Sequence, residues 1–313
     1  MLQNLKIGNA GSRLTHKNGA NNTKFISNRI VGGGGYQTNG KAVIGIGGTS
    51  GAASNIIFEN NIIECNSGTE NSTRTLGMNL VSIGEVMDDD AHIDGLTFIG
   101  NTFGAFNGVR SGSPNFGLEA TSRVWNGGSP AHFLRNIAII DNIFEPTDET
   151  TLDIESPNTE PSPVIGNILI KGNTLKGAGI GANAQYGQSI CLELGQGAKV
   201  IDNTIYGGKY GAIEIWSAGH PLDLSLAVIT GNNIDATQGV IPVTTAVNLT
   251  ASQIVFTNNT VRYFADRTNG LVIDGSTANN ITNNTFIKVG VGGPPISQRN
   301  GATGNTIDPN IVQ

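Results

Sequence analysis

The sequence predicts an all-β solenoid of about ten coils, and three observations predict it. Gly and Asn are abundant, at 44 and 37 of 313 residues, while only 13% of residues are charged. One short phrase recurs along the whole chain: an apolar residue, Asn three places later, and another apolar residue two places after that. A second strand-like phrase recurs between its copies.

Gly and Asn are the residues of tight turns and of left-handed backbone, so a chain rich in both has many turns and many short strands. A hydrophobic content of 38% is enough for a core. The net charge of −6, with no basic stripe, argues against nucleic acid as a partner. Cys65 and Cys191 are far apart and form neither a disulfide framework nor a metal-spacing motif. The opening stretch MLQNLKIGNAGS has no apolar run of signal-peptide length, and no 18-residue apolar stretch occurs anywhere. A soluble chain with no membrane partner is expected, one that without a signal peptide reaches a virion or extracellular setting only by release on lysis or carriage on a particle.

The first phrase occurs at Phe25/Asn28/Ile30, Phe58/Asn61/Ile63, Phe98/Asn101/Phe103, Ile139/Asn142/Phe144 and Ile170/Asn173/Leu175. It continues at Val200/Asn203/Ile205, Ile229/Asn232/Ile234, Phe256/Asn259/Val261 and Ile281/Asn284/Phe286, and closes weakly at Ala302/Asn305/Ile307. Successive Asn lie 21 to 41 residues apart. Segments such as NIIF, QIVF and RNIAII are short and β-rich, and none shows sustained helical spacing. Stacked coils of strands and turns, a parallel β-helix, fit this pattern. One domain over 1–313 is expected, with its long insertions within 66–165. The Asn has a structural role on this reading. It tolerates left-handed backbone, and its amide can bond to the same amide one coil above and below. This Asn ladder runs the length of the solenoid.

The stretches IIFENNII, VIDNTI and ITNNTF make the chain resemble the right-handed parallel β-helix proteins of the pectate-lyase-like superfamily. Among these it most resembles the polysaccharide-degrading bodies of bacteriophage tailspikes. The resemblance covers nearly the whole chain at the level of fold. The tailspike entry motif, F-G-A-x-G-D-G followed by T-D-D-T, is missing, and AGH at 218–220 is not the G-H-G of polygalacturonases. The resemblance implies a polysaccharide partner and a homotrimer.

The second phrase reads AVIGIGG (42–48), LVSIGE (80–85), NFGLEA (115–120), TLDIES (151–156), ICLELG (190–195), AIEIWS (212–217), AVNLT (246–250) and LVIDGS (271–276). Side chains alternate across a strand. If Ile154, Leu192, Ile213, Leu249 and Ile273 point inward, Glu155, Glu193, Glu214, Asn248 and Asp274 point out, and Asp153 and Glu119 join the same face. Glu193 and Asp274 each precede their coil's first ladder apolar by seven residues and Asn248 by eight, which suggests one aligned row. Strands of adjacent coils lie about 4.8 Å apart, so Glu193 and Glu214 are expected roughly 5 Å apart at the backbone, and Glu155 and Glu214 roughly 9–10 Å. Retaining glycosidases need two carboxyls about 5–5.5 Å apart, and inverting ones about 6.5–9.5 Å. Glu155, Glu193 and Glu214 are the expected catalytic carboxylates. Stacked like charges are unfavourable, so a row of them in a charge-poor chain points to a site.

Trp216, Tyr210, Tyr186 and Trp125 are the expected sugar platforms. Glu119, Asp153, Asn248 and Asp274 are the expected hydrogen-bonding groups beside them. His132, Arg135 and His220 lie in or near the insertions, where a lyase would want a base or a charge-neutralising cation. No cofactor is required. Ca²⁺ is the ion these carboxylates would suit, and the EVMDDDAHID loop at 85–94 is expected to be a solvated turn, with Ca²⁺ binding as its alternative.

Outward residues of the ladder strands, Ile57, Leu169, Val228 and Val255 with Ile26, Ile99, Ile140 and Ile201, are too apolar for a solvated face. A second copy of the chain is the expected cover. A glycoside hydrolase acting on a bacterial surface glycan is the leading expectation. A polysaccharide lyase or epimerase, and a non-catalytic adhesin or virion segment, are the alternatives on the same fold.

Overall fold

The computed structural model describes residues 1–7, 14–17, 21–33, 42–47, 53–66, 79–83, 92–104, 118–121, 133–147, 149–155, 165–180, 187–193, 197–216, 226–238, 245–265 and 269–313. Among the described residues every regular element is a strand. The strands form three parallel sheets of 10, 11 and 10 strands, and each strand pairs with its equivalents one coil before and one coil after. This is a parallel β-helix.

Each complete coil has the same plan. A strand of the first sheet, such as Ile165–Lys171, ends in a turn at a ladder Asn. A short strand of the second sheet, such as Thr174–Leu175, follows at once. The third-sheet strand, such as Gln188–Glu193, comes after a segment of variable length. All eight strand-like phrases of the second kind overlap third-sheet strands. Leu14–Lys17 and Ile296–Arg299 extend that sheet at its two ends.

The Asn ladder is continuous. Asn61 Nδ2 donates to Asn101 Oδ1 at 3.0 Å and to the Phe25 carbonyl at 2.9 Å, while its backbone N–H donates to the same Oδ1 at 2.8 Å. The pattern repeats from Asn28 to Asn284, so each rung gives both amide hydrogens, and each rung after Asn28 takes two N–H bonds, whereas Asn28 takes that of Leu5. Two expectations are corrected. The last rung is Asn310, which accepts from Asn284 Nδ2 at 3.0 Å. Asn305 instead accepts from the Asn279 backbone N–H, in a shorter ladder at a different corner. The left-handed residue is also not the rung itself but the one before it: Asn60, Gly100, Asp141, Gly172, Asp202, Gly231 and Asn258 all have φ between +53° and +70°. The rung Asn bonds, and its neighbour turns.

A second left-handed column runs five residues ahead of the first, through Asn55, Gly95, Asn136, Asn167, Gly197, Leu226, Gln253 and Ala278. Most positions in the two columns are Asn, Asp or Gly, the types that enter this region most readily. Gly172 has a further reason. A Cβ there would lie 2.1 Å from Asp141 Oδ1 of the previous coil.

The core is one apolar column per inward position. Phe25, Phe58 and Phe98 stack at centroid distances of 4.6 and 5.0 Å, and Phe103 stacks on Phe144 at 4.4 Å. Such pairs add about 0.5–1.5 kcal/mol beyond their burial. Because coils repeat in register, like side chains fall on like side chains.

Outside the first sheet, one column reads Lys24, Ile57, Thr97, Ala138, Leu169, Lys199, Val228 and Val255. The aliphatic members are half-buried, whereas Lys24 and Lys199 are exposed. The face is apolar with cationic breaks.

Candidate functional site

The acidic face is the outer side of the third sheet, and its geometry follows from strand register. One column runs Ser82, Glu119, Asp153, Cys191, Glu214 and Asn248. A second column, two residues further along each strand, pairs Thr121 with Glu155, Glu193 with Trp216 and Asp274 with Arg299.

This corrects the single row expected from sequence. The alternation is as expected, since Ile154, Leu192, Ile213, Leu249 and Ile273 are all fully buried. The offset differs by two. Glu193 stands opposite Trp216, and Glu214 stands opposite Cys191. Glu193 and Glu214 are therefore diagonal neighbours, roughly 7–8 Å apart at the backbone rather than about 5 Å. Asp153 and Glu214 share a column with Cys191 between them, which sets their backbones roughly 9–10 Å apart. Continuing the Ile154–Leu192 pairing by one residue sets Glu155 beside Glu193. The backbone positions of Glu119, Glu155 and Glu193 are defined, and their side chains lie outside the described residues. Trp125, Tyr186, His132 and His220 lie outside the described residues altogether.

Glu214 is the best-defined acidic side chain of the face. It sits in the strand Gly211–Trp216, half-buried between fully buried Ile213 and Ile215. Asn248 Nδ2, from the next coil, donates to its Oε1 at 3.0 Å. Gln188 Nε2, from the previous coil, donates to its Oε2. Gln188 is held in turn by Thr150 Oγ1, which donates to its Oε1 at 3.1 Å, and by the Gly187 N–H at 3.0 Å. Sequence patterns missed Gln188 and Thr150, because neither lies on the alternating row.

Asp153 is on the outward side of its strand yet is only 6% exposed. Trp216 and Tyr210 are 43% and 44% exposed, and Lys209 Nζ lies 5.3 Å from the Tyr210 ring centre. Two aromatic platforms thus flank the Glu214 strand, with Trp216 in the column of Glu193. Asp274 stands apart, accepting from Asn300 Nδ2 at 2.5 Å beside Arg299 near the C-terminal end of the solenoid.

Arg135 is not part of this face. It lies in the first-sheet strand Phe133–Ile140, and its guanidinium is 2.7 Å from Asp94. Asp94 is the described carboxylate of the 85–94 loop, and it is engaged in that pair. The Asn136 amide, first, and then Arg135 hold its carboxyl below the ordinary range. Among the described residues no group of three metal-ligating side chains occurs.

No family model, curated protein or solved structure matches this chain. Any functional reading therefore starts from the face itself.

Proposed function

We propose that this chain is a polysaccharide-binding and -cleaving β-helix, a glycoside hydrolase of the tailspike kind that acts on a bacterial surface glycan. The observation that carries it is the shared column of Asp153 and Glu214. Two carboxylates on alternate coils of a rigid sheet have a separation set by strand spacing. Their backbone distance of roughly 9–10 Å suits an inverting pair of carboxyls about 6.5–9.5 Å apart, with room for one water. Glu155 beside Glu193 offers the closer, retaining spacing two residues further along the strands. Trp216 and Tyr210 would hold sugar faces against this line, and Asn248 and Glu119 extend its polar surface along the axis. The tailspike likeness further suggests a homotrimer, packed through the apolar first-sheet face and placed on a virion or released outside a cell.

The test is a panel of capsular and lipopolysaccharide glycans assayed for new reducing ends. On a cleaved glycan, Asp153→Asn and Glu214→Gln should each lower turnover at least about a hundredfold, the usual reach of acid–base catalysis. Their unfolding midpoints should change little. Full activity in both variants moves the chemistry elsewhere. An absorbing unsaturated uronate product would mean a lyase, and glycan binding without new ends would mean a non-catalytic module.

A further inference from the structure

The hydrogen bonds around Glu214 all run toward it. Gln188 Oε1 already accepts from the Gly187 N–H and from Thr150 Oγ1. Turning the amide round would set its nitrogen against the Gly187 N–H, which can only donate, so its orientation is decided there, and the Thr150 hydroxyl supports it. Its Nε2 therefore faces Glu214 Oε2, while Asn248 Nδ2 faces Oε1. Both oxygens of Glu214 are thus met by N–H donors, and the one at Oε2 cannot turn away. Gln188 is only 9% exposed, so little water competes for its bond.

We propose that Gln188 is the positioning residue of this site. It orients Glu214 by holding Oε2 against its own N–H, so that Glu214 acts as base or nucleophile and another carboxylate of the face donates the proton. Asp153, buried two strands away in the same column, is placed to be that donor. Thr150 belongs to the same device, since it locks the amide that locks the carboxylate. The division of roles rests on the hydrolase reading above, whereas the clamp is a property of the free protein and can be measured without a substrate.

The measurement is isotope-edited infrared spectroscopy of the free protein, with carbon-13 in the glutamate side-chain carboxyls. The Glu214 band is assigned by its loss in Glu214→Gln. Its carboxylate stretch is then compared between the parent and the variants. Gln188→Met keeps the length and removes the donor, and should shift that stretch. Thr150→Val removes one of the two donors to the amide oxygen, and should shift the stretch in the same sense by less; it decides the matter if Gln188→Met does not fold. A carboxylate band that Thr150→Val and any folded Gln188→Met leave in place overturns the proposal. Band shifts without cleavage of any glycan overturn the catalytic role and leave the clamp. Cleavage with an unmoved band overturns the clamp and leaves the hydrolase.

Discussion

Asn173 shows how much one polar residue can carry inside an apolar column. Its Oδ1 takes two N–H bonds from Asn142 at 2.9 and 3.0 Å, and its Nδ2 donates to Asn203 and to the Ile139 carbonyl. Asn173→Ala leaves buried donors and acceptors unmatched on both neighbouring coils. At about 1–3 kcal/mol for each unmet group, partly relieved by relaxation, the expected loss is about 2–4 kcal/mol. A denaturation midpoint reads it. Leu226 is the opposite case. It holds φ +51° in the left-handed column where most other coils place Asn or Gly, and it is 53% exposed. A residue with a Cβ in that region costs about 1–2 kcal/mol, and Asn relieves part of it. Leu226→Asn should therefore raise stability by up to about 1 kcal/mol, and an unchanged or lower melting temperature would contradict that origin of strain.

At the scale of the strand, register decides what meets what. The strand His92–Ile99 sets Asp94 opposite Arg135, and Asn136 donates to the same carboxylate at 2.5 Å. These bonds favour the ionised form, so the folded value lies below the ordinary 3.8. A lowered folded-state value means stability that is present above the unfolded value and lost as pH falls through the folded one. Asp94→Asn should thus lower the melting temperature at neutral pH, and the gap should close once pH falls below the folded value. Melting curves of both proteins across that range give the answer. The third-sheet strands show why the site was only half legible. The alternation of Ile213, Glu214 and Ile215 identified the outward side, and it did so correctly. It could not reveal an offset of two residues, because a shift of two leaves every side chain on the same face. Counting from the next Asn was no better, since residues between the third strand and the next ladder vary from coil to coil.

For the whole molecule, the first-sheet face and the acidic face lie on different sheets of one solenoid. The proposed chemistry and the proposed assembly can therefore be separated by substitution. If the proposed trimer packs through Ile57, Leu169 and Val228, Leu169→Lys should yield monomers in sedimentation equilibrium while glycan binding by the isolated chain persists. A wild-type monomer would remove the trimer. The repeat, the strands on either side of each ladder Asn, the inward residues and the acidic face were all determined by the sequence alone. They follow from local spacing, because periods of two and fixed intervals around Asn are written along one coil. Only the tertiary structure decided that Glu193 meets Trp216, that Asp153 and Glu214 share a column, that Asn310 and not Asn305 closes the ladder, and that Gln188 grips Glu214. Those are relations between coils. They are set by backbone hydrogen bonds from one coil to the next, and loops of differing length erase them from the linear spacing.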